Sequence, residues 1–345
     1  MFTITRATRS HRTWVDRWHL PSRQFASSHY VELRKAGEGD PRLGYQENCI
    51  QGEYAHIGDH YATPKFPIVL AHGLLGFAEL HLTPGWLPPV RYWRGIAEAL
   101  KANGVHVITT TVPPAGSIEQ RAEKLARGIA EAAGSRHVNI IAHSMGGLDV
   151  RYLISHLRPA DVVVRSLVTV ASPHHGSSFA DFLFQEIGNE RLPELYRFAA
   201  RVGLETGAFE QLTTTYMTND FNPRTPDDPG VRYFSYGAMI DRPPLLSPFR
   251  HSHGVISRIE GPNDGLVSVA SSQWGSYKGT LGGVSHLDLI NWTNRWRWML
   301  RSLVGETPGY VSRVPFSLKR CSYGCSFNAI AFYLSITDML AKEGF

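Results

Sequence analysis

Residues 138–147 read VNIIAHSMGG, a short β-branched apolar run that feeds straight into a serine between two small residues. A strand, a strained turn and a helix carry a nucleophile in this way. The serine, Ser144, must adopt a backbone conformation that pushes its hydroxyl out beyond the sheet edge, and its neighbours must be small enough for strand and helix to close up. Ala142 and Gly146 meet that need. The usual spacing is G-x-S-x-G, and alanine here adds one methyl at the first small position; the turn is expected to close nonetheless.

The surrounding pattern is an alternation of strands and helices. Strands are expected over 67–71, 105–109, 138–142, 165–171 and 231–236, and helices over 92–101, 118–133 and 145–157. Alternation of this kind means a mostly parallel sheet with helices on both faces. Ile118, Ala122, Leu125, Ile129 and Ala132 recur at helical steps and form one apolar stripe for docking on the sheet. Residues 31–63 read as a hairpin or an extended arm, and Val255–Ile259 as a β-like stretch. Between 178 and 229 the strand pattern gives way to a helical, aromatic-rich insertion.

A serine hydroxyl is a poor nucleophile without a base and a group that orients the base. Asn263-Asp264-Gly265 and Ser285-His286-Leu287-Asp288 supply both, so the proposed catalytic set is Ser144, Asp264 and His286. An oxyanion also needs donors, each worth about 3 to 4 kcal/mol of barrier lowering. His72-Gly73-Leu74-Leu75-Gly76 directly follows the first core strand, which assigns the backbone amides of Leu74 and Met145 as those donors. His72 then braces the loop or simply packs. His251 and His253 lack partners at ligand spacing and read as loop packing near the acid.

Five motifs in one order, HGLLG, AHSMGGLDVRYLI, VTVASPHHGSSFADF, NDGLVSVASSQWGSY and GVSHLDLIN, resemble the true lipases of the Pseudomonas and Burkholderia type. The resemblance runs from about residue 67 to about 303 and extends to the fungal mitochondrial triacylglycerol lipases. It implies an α/β-hydrolase fold with a helical lid at 178–229, carboxylic-ester hydrolysis, an acylglycerol or other lipid-ester substrate, and transient contact with a lipid surface. Secreted bacterial members also bind a structural calcium. Asp241 and Asp288 match its aspartates, but Trp292 stands where a glutamine ligand belongs, and an indole offers no oxygen to an ion that wants six to eight. If calcium is not kept, Asp288 holds the histidine loop by hydrogen bonds. No organic cofactor is required. The same triad also serves carboxylesterases, phospholipases and acyltransferases, and a silent lipid- or partner-binding module is the non-enzymatic alternative.

The chain has 345 residues, a net charge of +5 and 43% hydrophobic residues. No apolar run is long enough to span a bilayer. The arginines are dispersed rather than set among stacking aromatics, which speaks against nucleic acid. Residues 1–28 hold five arginines and one acid, Asp16, the composition of a mitochondrial transit peptide; a cytoplasmic or lipid-droplet location is the alternative. The catalytic domain then covers 29–305, and 306–345 forms a loop and a helix. Residues 307–326 interrupt the pattern as a loop, an insertion or a gene-model artefact. Cys49, Cys321 and Cys325 show no zinc spacing and read as free thiols. Trp292, Trp296, Met299, Leu300 and Leu303 share one helix face, which packs on the sheet edge.

Overall fold

The computed structural model describes residues 49–74, 79–80, 90–93, 95–133, 137–184, 207–243, 247, 249–292 and 327–345. The leader 1–28, the centre of the insertion at 185–206, the helical stripe beyond Trp292 and the segment 307–326 lie outside them. Seven strands form one sheet: β1 (Cys49–Ile50), β2 (Ile68–Ala71), β5 (Val107–Thr109), β6 (His137–His143), β7 (Val163–Val170), β8 (Arg232–Met239) and β9 (Ser276–Gly282). Their order is β1-β9-β8-β7-β6-β2-β5, and every pairing is parallel. A two-stranded ribbon, β3 (Glu79–Leu80) with β4 (Val90–Arg91), stands apart.

Strand periodicity divides the apolar residues between two cores. Val69, Ile140, Ala142 and Leu167 point into one cluster with α2 (Ile118–Ala132) and α3 (Gly146–Tyr152). Ile68, Leu70, Ile141, Val168 and Val170 point into the other, against α1 (Ile96–Ala102) and α5 (Ala329–Lys342). Alternate residues of one strand face opposite sides, so a sheet covered twice needs apolar residues at nearly every position. α2 begins where Ser117 caps it, its hydroxyl accepting from Gln120 N while the Gln120 side chain returns to Ser117 N. Such a capping box satisfies orphan donors at both ends of the first turn.

Two expectations need correction. Val255–Ile259 is not a strand: it closes the helix α4 (Arg250–Ile259), because a short apolar run carries no decisive period and the flanking residues add a second helical turn. The histidines read there as loop packing sit in that helix's first turns, where His253 Nε2 meets Ile240 O at 2.7 Å. Of the segment 31–63, expected as a hairpin or an extended arm, residues 49–63 are described. Within it Cys49–Ile50 adds a parallel edge strand to β9. The strand β9 itself escaped the pattern, since Gly279 and Gly282 dilute its β signal.

The described part of the insertion is helical, as expected. It holds a run over 178–184 and the short turns Gly207–Glu210, Thr214–Tyr216 and Asn222–Arg224. Ala208, Met217 and Phe221 pack with Ile118, Met145 and Leu148 as a third apolar cluster, with Leu74 at its margin. The insertion is thus seated on the residues that flank the serine.

Candidate active site

β6 ends at His143 and passes the chain to Ser144 at φ 57, a region that side-chain-bearing residues rarely enter. The turn is pinned to the sheet, for Ser144 N–H donates to Val170 O at 3.0 Å. Gly146 is obligatory there: a Cβ would stand 2.7 Å from Ala71 O and 2.8 Å from His72 O. Ala142 faces no such limit. Its methyl is absorbed in the buried cluster over α2, and the elbow closes.

The loop after β2 lies directly over the nucleophile, since a Cβ on Gly73 would come within 2.6 Å of Ser144 Cβ. Among the described residues, the backbone N–H groups of Leu74 and Met145 donate to no protein acceptor. His72 does brace this loop. Its Nδ1 meets Gly73 O at 3.0 Å and its Nε2 accepts from Val112 N at 3.2 Å, so the ring is neutral; burial and Arg121 lower its pKa to about 4.

Beneath the loop lies a buried ion pair that pattern reading did not single out. Arg121 donates to His72 O at 2.8 Å, to Pro113 O at 2.7 Å and to the Asp149 carboxylate at 2.9 Å. Burial pushes the Asp149 carboxyl up to about 6, and Arg121 opposes the rise. The signal was present: Arg121 interrupts the apolar stripe of α2 between Ile118 and Ala122, where a charge has to find a partner.

On the opposite side, three donors converge on the wholly buried Asp264. Oδ1 accepts from Leu266 N at 2.9 Å and Val267 N at 2.8 Å, and Oδ2 faces His286 Nδ1 at 2.7 Å. His286 N–H donates in turn to Asp264 O at 3.0 Å, so acid and histidine loops are tied twice. Asn263 explains the NDG motif: its Oδ1 accepts from Gly265 N and its Nδ2 donates to Ser257 Oγ on α4 and to Gly261 O. Ser144 reaches this pair through its chain neighbour. The His143 ring lies 4.5 Å from that of His286, centroid to centroid. Among the described residues the Ser144 hydroxyl has no direct hydrogen bond to His286; such bonds are commonly long in unliganded enzymes and tighten with substrate.

Asp288 and Trp292, two of the positions matched to the calcium site, have protein partners. Asp288 Oδ2 is occupied by Ser285 N–H at 2.8 Å and Ser285 Oγ–H at 2.6 Å. Trp292 packs against the apolar cluster, and Asp241 sits in an exposed turn after β8. Among the described residues no three His, Cys, Asp or Glu side chains converge as a metal set. Nor is any described helix long and apolar enough to cross a membrane.

Comparison with known proteins bears on the fold and the family. A domain family of unknown function, DUF7379, matches residues 110–186. Triacylglycerol lipase 2 of Saccharomyces cerevisiae is 36% identical over 86% of this chain and 98% of its own length. A triacylglycerol lipase of Vibrio cholerae is 28% identical, covering 67% of this chain and 81% of its own. Among solved structures, a metagenomic carboxyl esterase superposes with a TM-score of 0.59 at 18% identity, covering 91% of each chain. The mature lipase of Bacillus licheniformis gives 0.53 at 24% identity, over 71% of this chain and 96% of its own. With a parallel sheet, a strained serine elbow and relatives of this extent, the chain belongs to the triacylglycerol lipase family and is a carboxylic-ester hydrolase of the α/β-hydrolase fold.

Proposed function

We propose that the chain cleaves acylglycerol esters, triacylglycerol foremost, to free fatty acid through an acyl-enzyme on Ser144. The observation that carries this reading is the 2.7 Å His286–Asp264 contact, buried beside a serine held at positive φ. His286 Nε2 takes the Ser144 proton as Oγ attacks the ester carbonyl, while Asp264 holds the ring tautomer and stabilises the imidazolium. The carbonyl oxygen becomes an oxyanion and receives the Leu74 and Met145 N–H groups. The tetrahedral adduct collapses, the C–O bond to the alcohol breaks, and His286 returns its proton to the departing oxygen. Water repeats the sequence, leaving the fatty acid and free enzyme.

The Asp288–Ser285 hydrogen bonds take the place of a calcium ion in holding the histidine loop, so chelators leave the rate unchanged. The insertion at 178–229 meets the lipid surface through aromatic residues such as Phe179 and Phe182. The arginine-rich residues 1–28 direct the chain to mitochondria, which a fluorescent fusion of residues 1–35 tests; a cytosolic signal rejects it. For the activity, the deciding measurement sets the chain against Ser144→Ala on emulsified long-chain triacylglycerol and on short p-nitrophenyl esters, with and without chelator. Emulsion hydrolysis that vanishes in Ser144→Ala supports the proposal. Activity on short esters alone points to an esterase, and undiminished activity of the variant rejects the mechanism.

A further inference from the structure

His143 has no task in that scheme, yet its imidazole sits at the centre of it. It is 1% exposed. On one edge Tyr92 Oη lies 2.6 Å from its Nδ1. The same hydroxyl accepts the Gly73 N–H at 3.2 Å; with its own proton given to the imidazole, His143 Nδ1 is the acceptor. A neutral imidazole that accepts at Nδ1 carries its proton on Nε2, and Nε2 makes no regular hydrogen bond. The ring lies beside that of His286, the centroids 4.5 Å apart and the planes inclined at 46°. Tyr92 and Trp93 pack around it at centroid distances of 5.9 Å and 6.4 Å.

This arrangement answers a mechanical need. The Asp264 bond fixes one edge of the His286 ring, but a ring held at one nitrogen can still turn about that bond. Orientation of the opposite nitrogen toward Ser144 requires a second contact on the ring face. That contact has to be uncharged, because a cation 4.5 Å from the base would oppose the imidazolium formed during the reaction. Burial, followed by the proximity of His286, holds the His143 pKa well below the usual histidine value, so this ring stays neutral.

We propose that His143 is a positioning residue whose ring sets the plane in which His286 faces Ser144, and that Tyr92 fixes His143 and ties it to the oxyanion loop at Gly73. The inference rests on the assignment of Ser144, His286 and Asp264 made above. It joins nucleophile, base and oxyanion loop through one buried pair of side chains.

The test compares the full chain with Tyr92→Phe, Tyr92→Phe/His143→Phe and Tyr92→Phe/His143→Leu. Removing the hydroxyl together with the imidazole avoids leaving Tyr92 without its acceptor. Rates on a soluble p-nitrophenyl ester are normalised to folded enzyme by end-point fluorophosphonate labelling, and the labelling rate itself is recorded. The double variant that keeps a ring should retain kcat to within about threefold of Tyr92→Phe. The ringless variant should lose a further factor of about 10 to 100 in kcat and in labelling rate, with KM changed less than about twofold, the scale of a misplaced catalytic group. The downfield proton signal of His286 Nδ1–H should stay sharp with the ring and broaden without it. Equal kcat in the two double variants, or a loss confined to KM, overturns the proposal. Wild-type activity in His286→Ala is a different result, since it removes the triad assignment on which the inference stands.

Discussion

Gly146→Ala is the most direct probe of how the elbow is built. The added methyl would lie 2.7 Å from Ala71 O and 2.8 Å from His72 O, roughly half an ångström inside an ordinary carbon–oxygen contact of the kind that packed interiors keep. Both oxygens are backbone, so neither can rotate away; either the end of β2 or the elbow must move. Overpacking of this kind costs about 1–3 kcal/mol, which corresponds to a fall in Tm of roughly 5 °C for a domain this large. The more informative effect is on rate. Ala71 and His72 lead straight into the loop that carries the Leu74 amide, and Met145 is the residue before the substituted one, so both proposed oxyanion donors shift. Loss of one such donor lowers kcat by about 100-fold or more. The assay is kcat and KM on a soluble ester together with thermal unfolding, with Ala142→Gly as the control on the uncrowded side of the elbow. A kcat within threefold of wild type in Gly146→Ala, or an equal loss in the control, would refute the steric reasoning.

Other outcomes follow from the same geometry. Arg121→Met leaves the Asp149 carboxylate buried without its partner and is expected to cost about 3–5 kcal/mol, whereas Arg121→Met/Asp149→Leu recovers most of that; urea unfolding of both variants checks it, and equal losses refute it. Stability should fall on acidification from pH 6.5 toward 4. His72, with its pKa lowered to about 4, and the buried His143 and His174, held well below the usual histidine value, take up protons more readily when unfolded, so each favours unfolding as the pH falls. Asp149, raised to about 6, acts with the opposite sign as pH falls from 6 toward 3.8 and offsets part of this. A Tm at pH 5 equal to that at pH 7 contradicts the balance. Phe182→Asp should reduce hydrolysis of emulsified triacylglycerol at least tenfold more than hydrolysis of soluble esters, the signature of a lost surface contact; equal reductions assign Phe182 to packing.

Much of this protein is written locally. The elbow is legible because its constraint spans a few residues: a strand has to end, a serine has to take positive φ, and Gly146 has to clear the strand beside it. The α2 stripe and the apolar strands are legible because period and burial coincide. Asp264 and His286 are paired by motif order alone, and in the fold their side chains meet at 2.7 Å across 22 positions. Local signal failed where tertiary context overrode it. Val255–Ile259 is apolar enough for a strand but lies in a helix that anchors the Asp264 turn through Ser257, and the glycine-bearing β9 is a strand only because β8 and β1 flank it.

The chain by itself determined the fold class and marked Ser144, Asp264 and His286 as the proposed triad, because each rests on a short-range steric or chemical requirement that only a few residues can meet. Tertiary structure alone decided what supports them. Arg121 and Asp149 pair beneath the oxyanion loop from two helices, and Tyr92 reaches His143 across 51 positions. Packing likewise places Ser285 N–H and Oγ–H on the Asp288 carboxylate. Buried polar groups take whichever partner the fold delivers, and since desolvation penalises any left unpaired, their pairing is a property of the folded chain that no sequence spacing encodes.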